Sequence, residues 1–310
     1  MSKRKIKPKV ECFFDKETNT ASYIVIDELT KKCAIIDSVL DFNYFTGEIT
    51  FTNAKKLISF IENNSLKLEW LIETHIHADH LSAAPYIQNK LGGRIGISSE
   101  ITQLQKIFGK VFNSGTEFEM DGSQFDFLFN DGDTYKIGQM ECKTILTPGH
   151  TPECMTHLIG DAAFVGDTLF MPDGGTARAD FPGGNAKELY NSIKKILSLP
   201  EKTRIFVCHD YMPDGREAKW ESTVRDQKKN NIHINRNISE EEFVKMREKR
   251  DSKLKTPKLM IPSIQVNIRA GHLPPQESNG DIYLKIPLKK SKDFLSVSYT
   301  HLTLPTTVIV

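Results

Sequence analysis

The segment Thr74-His75-Ile76-His77-Ala78-Asp79-His80 puts three imidazoles and a carboxylate into seven residues, directly behind the apolar run Leu68-Glu69-Trp70-Leu71-Ile72. Ordinary packing does not explain such a cluster, because buried His and Asp side chains need a partner for every polar atom. A metal ion is the economical partner. Imidazole and carboxylate ligate both zinc and iron, and a loop at a strand end can aim several side chains into one pocket.

The flanking pattern is that of alternating strands and helices. Residues 10–14, 21–27 and 33–37 read as the start of a β meander, and Ala54, Leu57, Ile58 and Ile61 have helical spacing, with Thr52 or Asn53 as the N-cap. The strand 68–72 and the histidine loop follow. A helix over 81–91 is predicted next, closed by Gly92-Gly93 and capped by Asp79, so the loop lies between a strand end and a helix start. Residues 94–98 read as a strand, 99–108 as a helix, and 125–129, 135–137, 140–146, 155–159 and 162–165 as short strands. A helix over 186–197 and a buried strand over 204–208, ending at His209, complete a pattern of layered sheets flanked by helices. Beyond Trp220 the chain becomes strongly charged: residues 239–255 read as a solvated helix around Phe243, Val244 and Met246, and a Pro-punctuated segment runs to Leu288. The apolar stretch 261–268 is expected to add a strand to a sheet edge, where a homodimer can form.

The totals exclude some partners. With 41 Lys+Arg against 40 Asp+Glu, nothing favours nucleic acid or an anionic membrane, and no apolar run is long enough to span a bilayer. Five widely spaced cysteines form no Cys-x-x-Cys pair, as expected of free thiols in a reducing compartment, and a soluble cytoplasmic protein follows as the expectation.

Three later positions share the character of the histidine loop: His150 in Thr147-Pro148-Gly149-His150-Thr151-Pro152, Asp167 in Val165-Gly166-Asp167-Thr168-Leu169, and His209 in Val207-Cys208-His209-Asp210-Tyr211. Each follows a predicted strand. His75, His77 and His150 can make one metal site, and Asp79, His80 and His209 a second, with Asp167 bridging. These ordered motifs resemble the metallo-β-lactamase superfamily over roughly residues 10–235. The resemblance implies an α+β fold, a four-layer αββα sandwich with the metal at one edge. The expected organisation is a catalytic domain over 1–238, a C-terminal extension packed on it over 239–290, and a non-native or disordered tail over 291–310. From residue 294 the tail resembles a translated sequencing adapter, so His301 carries no functional weight.

Within that superfamily, Thr176-Ala177-Arg178-Ala179-Asp180-Phe181, His209-Asp210-Tyr211 and the late segment from Ile261 to Gly271 resemble persulfide dioxygenases and the related β-lactamase hydrolase-like proteins. Carried over residue by residue, the resemblance implies one Fe(II) per chain on His75, His150 and Asp167, which are then the catalytic and metal-binding residues. His77, Asp79, His80 and His209 become supporting groups or a second metal site. The implied reaction oxidises glutathione persulfide, or a similar low-molecular-weight persulfide, to sulfite with O2. Two imidazoles and one carboxylate on one face of the ion suit that chemistry, since the opposite positions stay open. A thioester hydrolase resembling glyoxalase II, with two Zn(II) or mixed Zn/Fe on the same seven ligands, is the alternative. A non-catalytic metal-binding sensor is a third reading, weighed down by the completeness of the ligand set.

Arg178 is the candidate substrate fork for the carboxylate of a glutathione-type thiol, with Asp180 as its competing ion-pair partner. Tyr211 either donates its hydroxyl to substrate or caps the strand end. Cys154 resembles a cysteine of persulfide dioxygenases, although a lone Cys beside a strand also serves as a small hydrophobe, and Cys208 carries the same ambiguity. His157 is expected to be a satisfied histidine rather than a ligand. One departure stands out: Asn231-Ile232-His233 replaces the Asn-Pro-Arg common among persulfide dioxygenases, which puts that arginine's glutathione contact in doubt.

Overall fold

The strand Thr20–Asp27 is buried at all of its residues, so both of its faces must be covered. Alternation along it shows by what: Tyr23 and Val25 join one apolar cluster, Ile24 and Ile26 another on the opposite side. In the computed structural model, which describes residues 7–235 and 237–288, this strand is β2. The order begins β1 (Lys9–Asp15), β2, β3 (Lys32–Ile36), β4 (Val39–Phe42), β5 (Ile49–Thr50), α1 (Thr52–Asn63), β6 (Lys67–Ile72), β7 (Leu81–Ser82), α2 (Ala84–Leu91), β8 (Arg94–Ser98), α3 (Ile101–Val111) and β9 (Phe127–Phe129). It continues β10 (Thr134–Ile137), β11 (Met140–Leu146), β12 (Met155–Ile159), β13 (Ala162–Phe164), α4 (Ala186–Leu197), β14 (Arg204–Phe206), β15 (Glu221–Thr223), α5 (Val224–Asn230), α6 (Glu240–Asp251) and α7 (Met260–Asn267).

Two sheets form the centre, ordered β1-β2-β3-β6-β8-β9 and β10-β11-β12-β13-β14-β15. Between them lies a core of Tyr23, Ile36, Trp70, Phe129, Ile137, Phe164 and Phe206. Helices α1 to α3 and the α7 segment cover the outer face of the first sheet, and α4 with Phe243 of α6 covers the second. This is an αββα sandwich.

Strand direction fixes the position of the metal loops. Strand β12 is antiparallel to both β11 and β13, and β13 is parallel to β14, so β11, β13 and β14 end at the same edge. The loops leaving those ends carry His150, Asp167 and His209. The end of β6 reaches the same edge, where Met155 N–H donates to Thr74 O and Thr20 bridges His209. Gly149 is required there: its φ is +129°, and a Cβ would stand 2.2 Å from the Leu189 backbone nitrogen.

Several local expectations are corrected. Helix α2 begins at Ala84, not 81, because Leu81 and Ser82 pair with β4; Asp79 lies outside its start and caps nothing. Helix α1 takes Phe51 as N-cap, and Thr52 is already helical; Asn53 instead donates to Asp41 and Asp15. The stretch expected to extend a sheet edge is helix α7, so the edge-strand argument for a homodimer falls. Helix α6 has a Ser239 capping box as its start, but it is not solvated throughout: Phe243, Arg247 and Asp251 lie at i, i+4 and i+8 on one buried face. The tail from 289 onward, with His301, lies outside the described residues. Among the described residues no helix is long and apolar enough to cross a membrane.

Candidate metal centre

The four loops bring all seven predicted ligands to one buried place. His75, His150 and Asp167 form one compact group, with Asp167 Oδ2 at 3.9 Å from His75 Nε2 and 3.5 Å from His150 Nε2. His77, Asp79 and His80 form a second. His209 links them, its Nε2 lying 3.3 Å from Asp79 Oδ2 and 3.4 Å from Asp167 Oδ1. The other carboxylate oxygen of Asp167 thus faces the second group.

Each imidazole is oriented by its other nitrogen. His150 Nδ1–H donates to Arg178 O at 2.7 Å, and His80 Nδ1–H to Leu81 O at 3.1 Å, which leaves Nε2 of both rings as the lone-pair donor. His77 is reversed. Its Nε2–H donates to Asp37 Oδ1 at 3.0 Å, with Glu73 Oε2 at 3.3 Å, so Nδ1 is its free nitrogen. Asp37 also accepts from the Thr74 amide and hydroxyl, and Glu73 from Ser82 Oγ.

A metal fits this arrangement. Among buried polar atoms without a partner are His77 Nδ1, His80 Nε2, His209 Nε2, Asp79 Oδ2 and Asp167 Oδ1, all belonging to this cluster. Orphaned buried acceptors are costly, and a cation satisfies them together. The electrostatics agree for two rings: burial and the neighbouring imidazoles hold His75 well below the ordinary histidine value, and burial pushes His80 down to about 4, so both are neutral ligands at pH 7. For His77 burial opposes the charge, yet Asp37 and Glu73 outweigh it and raise the pKa well above ordinary, so Nδ1 becomes a ligand only as a metal displaces its proton.

A cavity of about 410 Å³ opens onto Asp79, His150 and Asp167, with Phe170, Phe181 and Leu254 among its apolar walls. Tyr211 also lines it and is 56% exposed. Arg178 reaches the cavity but is engaged: its fork holds Asp180 at 2.5 and 2.7 Å, and Nη1 donates to Lys255 O. The side chain that sequence offered for substrate is therefore committed to an ion pair. Arg250 of α6 lines the same cavity, is exposed, and makes no ion pair among the described residues.

Cys154 is buried against Thr151 Oγ1, and Cys208 is buried with its Sγ within 4.8 Å of a ring nitrogen of His77 and of His209. His157 is a core histidine bonded to Tyr135. His233 stands under the pocket wall, accepting from the Thr176 amide through Nδ1, while Asn231 holds Gly175 O.

Sequence reasoning missed Asp37, Glu73, Glu153 and Asn267. Asp37 and Glu73 each follow the apolar run of a central strand, a signal of the same kind that marked Asp167. Glu153 Oε1 accepts from the Ile76 amide. Asn267 straps the histidine loop, donating to both His77 O and His80 O at 2.8 Å and accepting from Ser82 N–H. In sequence the late motif carries only a family resemblance; this contact appears with the fold.

Comparison with known proteins agrees with the geometry. The family profile of the metallo-β-lactamase superfamily matches residues 16–209. "Glyoxylase B2" of Dictyostelium discoideum is 49% identical over 92% of this chain and 99% of its own length. A "Beta-lactamase hydrolase-like protein" of Xylella fastidiosa is 48% identical over 91% of this chain, which spans 65% of that relative. The human mitochondrial "Persulfide dioxygenase ETHE1" is 29% identical over 83% of this chain and 87% of its own. Among solved structures, ETHE1 from Myxococcus xanthus superposes with a TM-score of 0.69 at 26% identity, covering 85% of this chain and all of that one.

Proposed function

The chain belongs to the metallo-β-lactamase superfamily, and from that premise we propose that it is a mononuclear Fe(II) dioxygenase. Its substrate is a low-molecular-weight persulfide of the glutathione type. Persulfide, O2 and water yield thiol, sulfite and two protons. The observation that carries this reading is the group of two imidazoles and one carboxylate, His75, His150 and Asp167, two of which line the open cavity. The iron supplies the electron transfer to O2 that sulfur oxidation needs.

The chain's own groups do the rest. His150 is fixed in one tautomer by the Arg178 carbonyl, and His75 Nδ1 stands 3.1 Å from the Thr74 hydroxyl, so both imidazoles of the ligand set are preorganised. Phe170 and Phe181 give the cavity apolar wall beside the metal ligands, and Tyr211 offers a hydroxyl to the substrate. A reducing, cytoplasmic setting belongs to this reading, since all five cysteines are free.

A specific observation supports a second reading. The unpartnered atoms of His77, Asp79, His80 and His209 suit a second ion, and "Glyoxylase B2" is the closer of the two enzyme-named relatives reported above. A two-metal thioester hydrolase follows from them. The experiment separating the readings is metal analysis of anaerobically purified protein paired with an oxygen-electrode trace. About one iron per chain, with O2 uptake only on adding glutathione persulfide, is the expected result; the stoichiometry is set by the three-ligand site. Two zinc ions with thioester turnover and no O2 uptake overturns it. Loss of His80 or His209 should cripple a two-metal hydrolase and spare much of the O2 uptake of a one-metal oxygenase.

A further inference from the structure

Helix α6 contains a buried ion pair outside the metal ligands and the substrate contacts. Arg247 is 1% exposed and Asp251 4%, with Arg247 Nη2 at 2.6 Å from Asp251 Oδ1. Burying two charges has a large desolvation penalty, and well-packed apolar residues usually serve stability as well or better. The pair therefore calls for a role in what it holds.

It holds the segment Thr176–Ala179. Arg247 Nη1 donates to Thr176 O at 3.0 Å and to Thr176 Oγ1 at 3.2 Å. Asp251 Oδ2 accepts from the Ala179 amide at 2.9 Å. Between those two anchors lies Arg178, whose carbonyl oxygen accepts from His150 Nδ1–H at 2.7 Å. His233 Nδ1, accepting from the Thr176 amide, braces the same segment from below. We infer that Arg247 and Asp251 are positioning residues for the metal: the pair fixes the Arg178 carbonyl, the carbonyl fixes the His150 tautomer and ring plane, and His150 Nε2 is thereby aimed into the metal pocket.

The inference rests on His150 being a ligand and not on which reaction the metal performs. Partners of a ligating histidine commonly change metal affinity 10–100-fold when removed. The test measures metal affinity by chelator competition and records the visible spectrum of Co(II)-loaded protein. The variants are Arg247→Met, Asp251→Asn and Thr176→Val, with Glu248→Ala on the exposed side of α6 as control. All measurements are made well below each variant's melting temperature. Expected is a loss of affinity of about tenfold or more in Arg247→Met and Asp251→Asn with an altered Co(II) spectrum, a smaller loss in Thr176→Val, and parental behaviour in Glu248→Ala.

Variants that melt earlier but keep affinity within about twofold and an unchanged spectrum overturn the inference, because a purely structural pair gives that result. Should Arg247→Met fail to fold, the isosteric Asp251→Asn and the mild Thr176→Val decide the matter by the same readouts. His150→Ala separates the two layers: full metal affinity in that variant sinks the ligand assignment itself.

Discussion

Nε2 of His77 lies 3.0 Å from Oδ1 of Asp37, and this contact turns the ring so that Nδ1 is the nitrogen left for a metal. Asp37 also receives both the amide and the hydroxyl of Thr74, at 2.8 Å each. Asp37→Ala removes three buried acceptor contacts at once. Breaking a buried pair of this kind costs about 3 kcal/mol or more, and metal affinity should fall at least about tenfold. Chemical denaturation and chelator competition check the two effects.

Asn267 makes three side-chain hydrogen bonds to the histidine loop and the strand after it: both N–H groups donate to His77 O and His80 O, and Oδ1 accepts from Ser82 N–H. Its replacement by Ala leaves two loop carbonyls and one amide unpaired in a buried place, a loss of about 1–3 kcal/mol per group if no water enters. Asn267→Ala should lower the melting temperature and raise the rate of metal release, whereas exposed Asn279→Ala should do neither. Calorimetry and a chelator time course read the outcome.

Glu153 gives a pH dependence with a definite sign. Burial raises its pKa from 4.5 to about 7 despite the hydrogen bond from the Ile76 amide. Between these values the folded chain keeps a proton that the unfolded chain has lost, so this group's contribution falls as pH rises through the window. The full penalty, about 3 kcal/mol, stands above pH 7. Glu153→Gln should therefore be more stable than the metal-free parent at pH 8 and equal to it at pH 4. Denaturation of both proteins at the two values tests this, and an equal difference at both sinks it.

Arg178 and Arg250 should separate in kinetics. Arg178 is held by Asp180 and Lys255 O, so Arg178→Ala should act mainly on stability. Arg250 faces the cavity without an ion pair among the described residues, so Arg250→Ala should raise KM about tenfold for a carboxylate-bearing substrate while kcat changes little. A substrate with its carboxylates esterified should erase that difference. The same KM change with the ester rules out carboxylate recognition.

Much of this protein was legible in its sequence because the signals were local. A period of two in the strands, helical spacing from Ala54 to Ile61, and a strand followed at once by His, Gly-His or Gly-Asp depend on near neighbours. They gave the layered fold and the ligand types. The seven candidate ligands from His75 to His209 are all visible in this way.

What the tertiary structure decided is how those groups are used, because that depends on contacts between residues far apart in the chain. Sequence offered His77 as an imidazole; Asp37, 40 residues away, selects its nitrogen. It offered Arg178 as a substrate fork or as the ion-pair partner of Asp180; in the fold Asp180 and Lys255 occupy the guanidinium while the residue's carbonyl orients His150. The stretch 261–268 reads as a strand because an apolar run of that length has no decisive period; in the fold residues 260–267 are helix α7, which sets Asn267 on the histidine loop. The charged helix from Glu240 looked solvated because charge usually means water. Only the packed structure could show that one of its faces carries Arg247 and Asp251 inward, where each charge is satisfied by the other and by the backbone it holds.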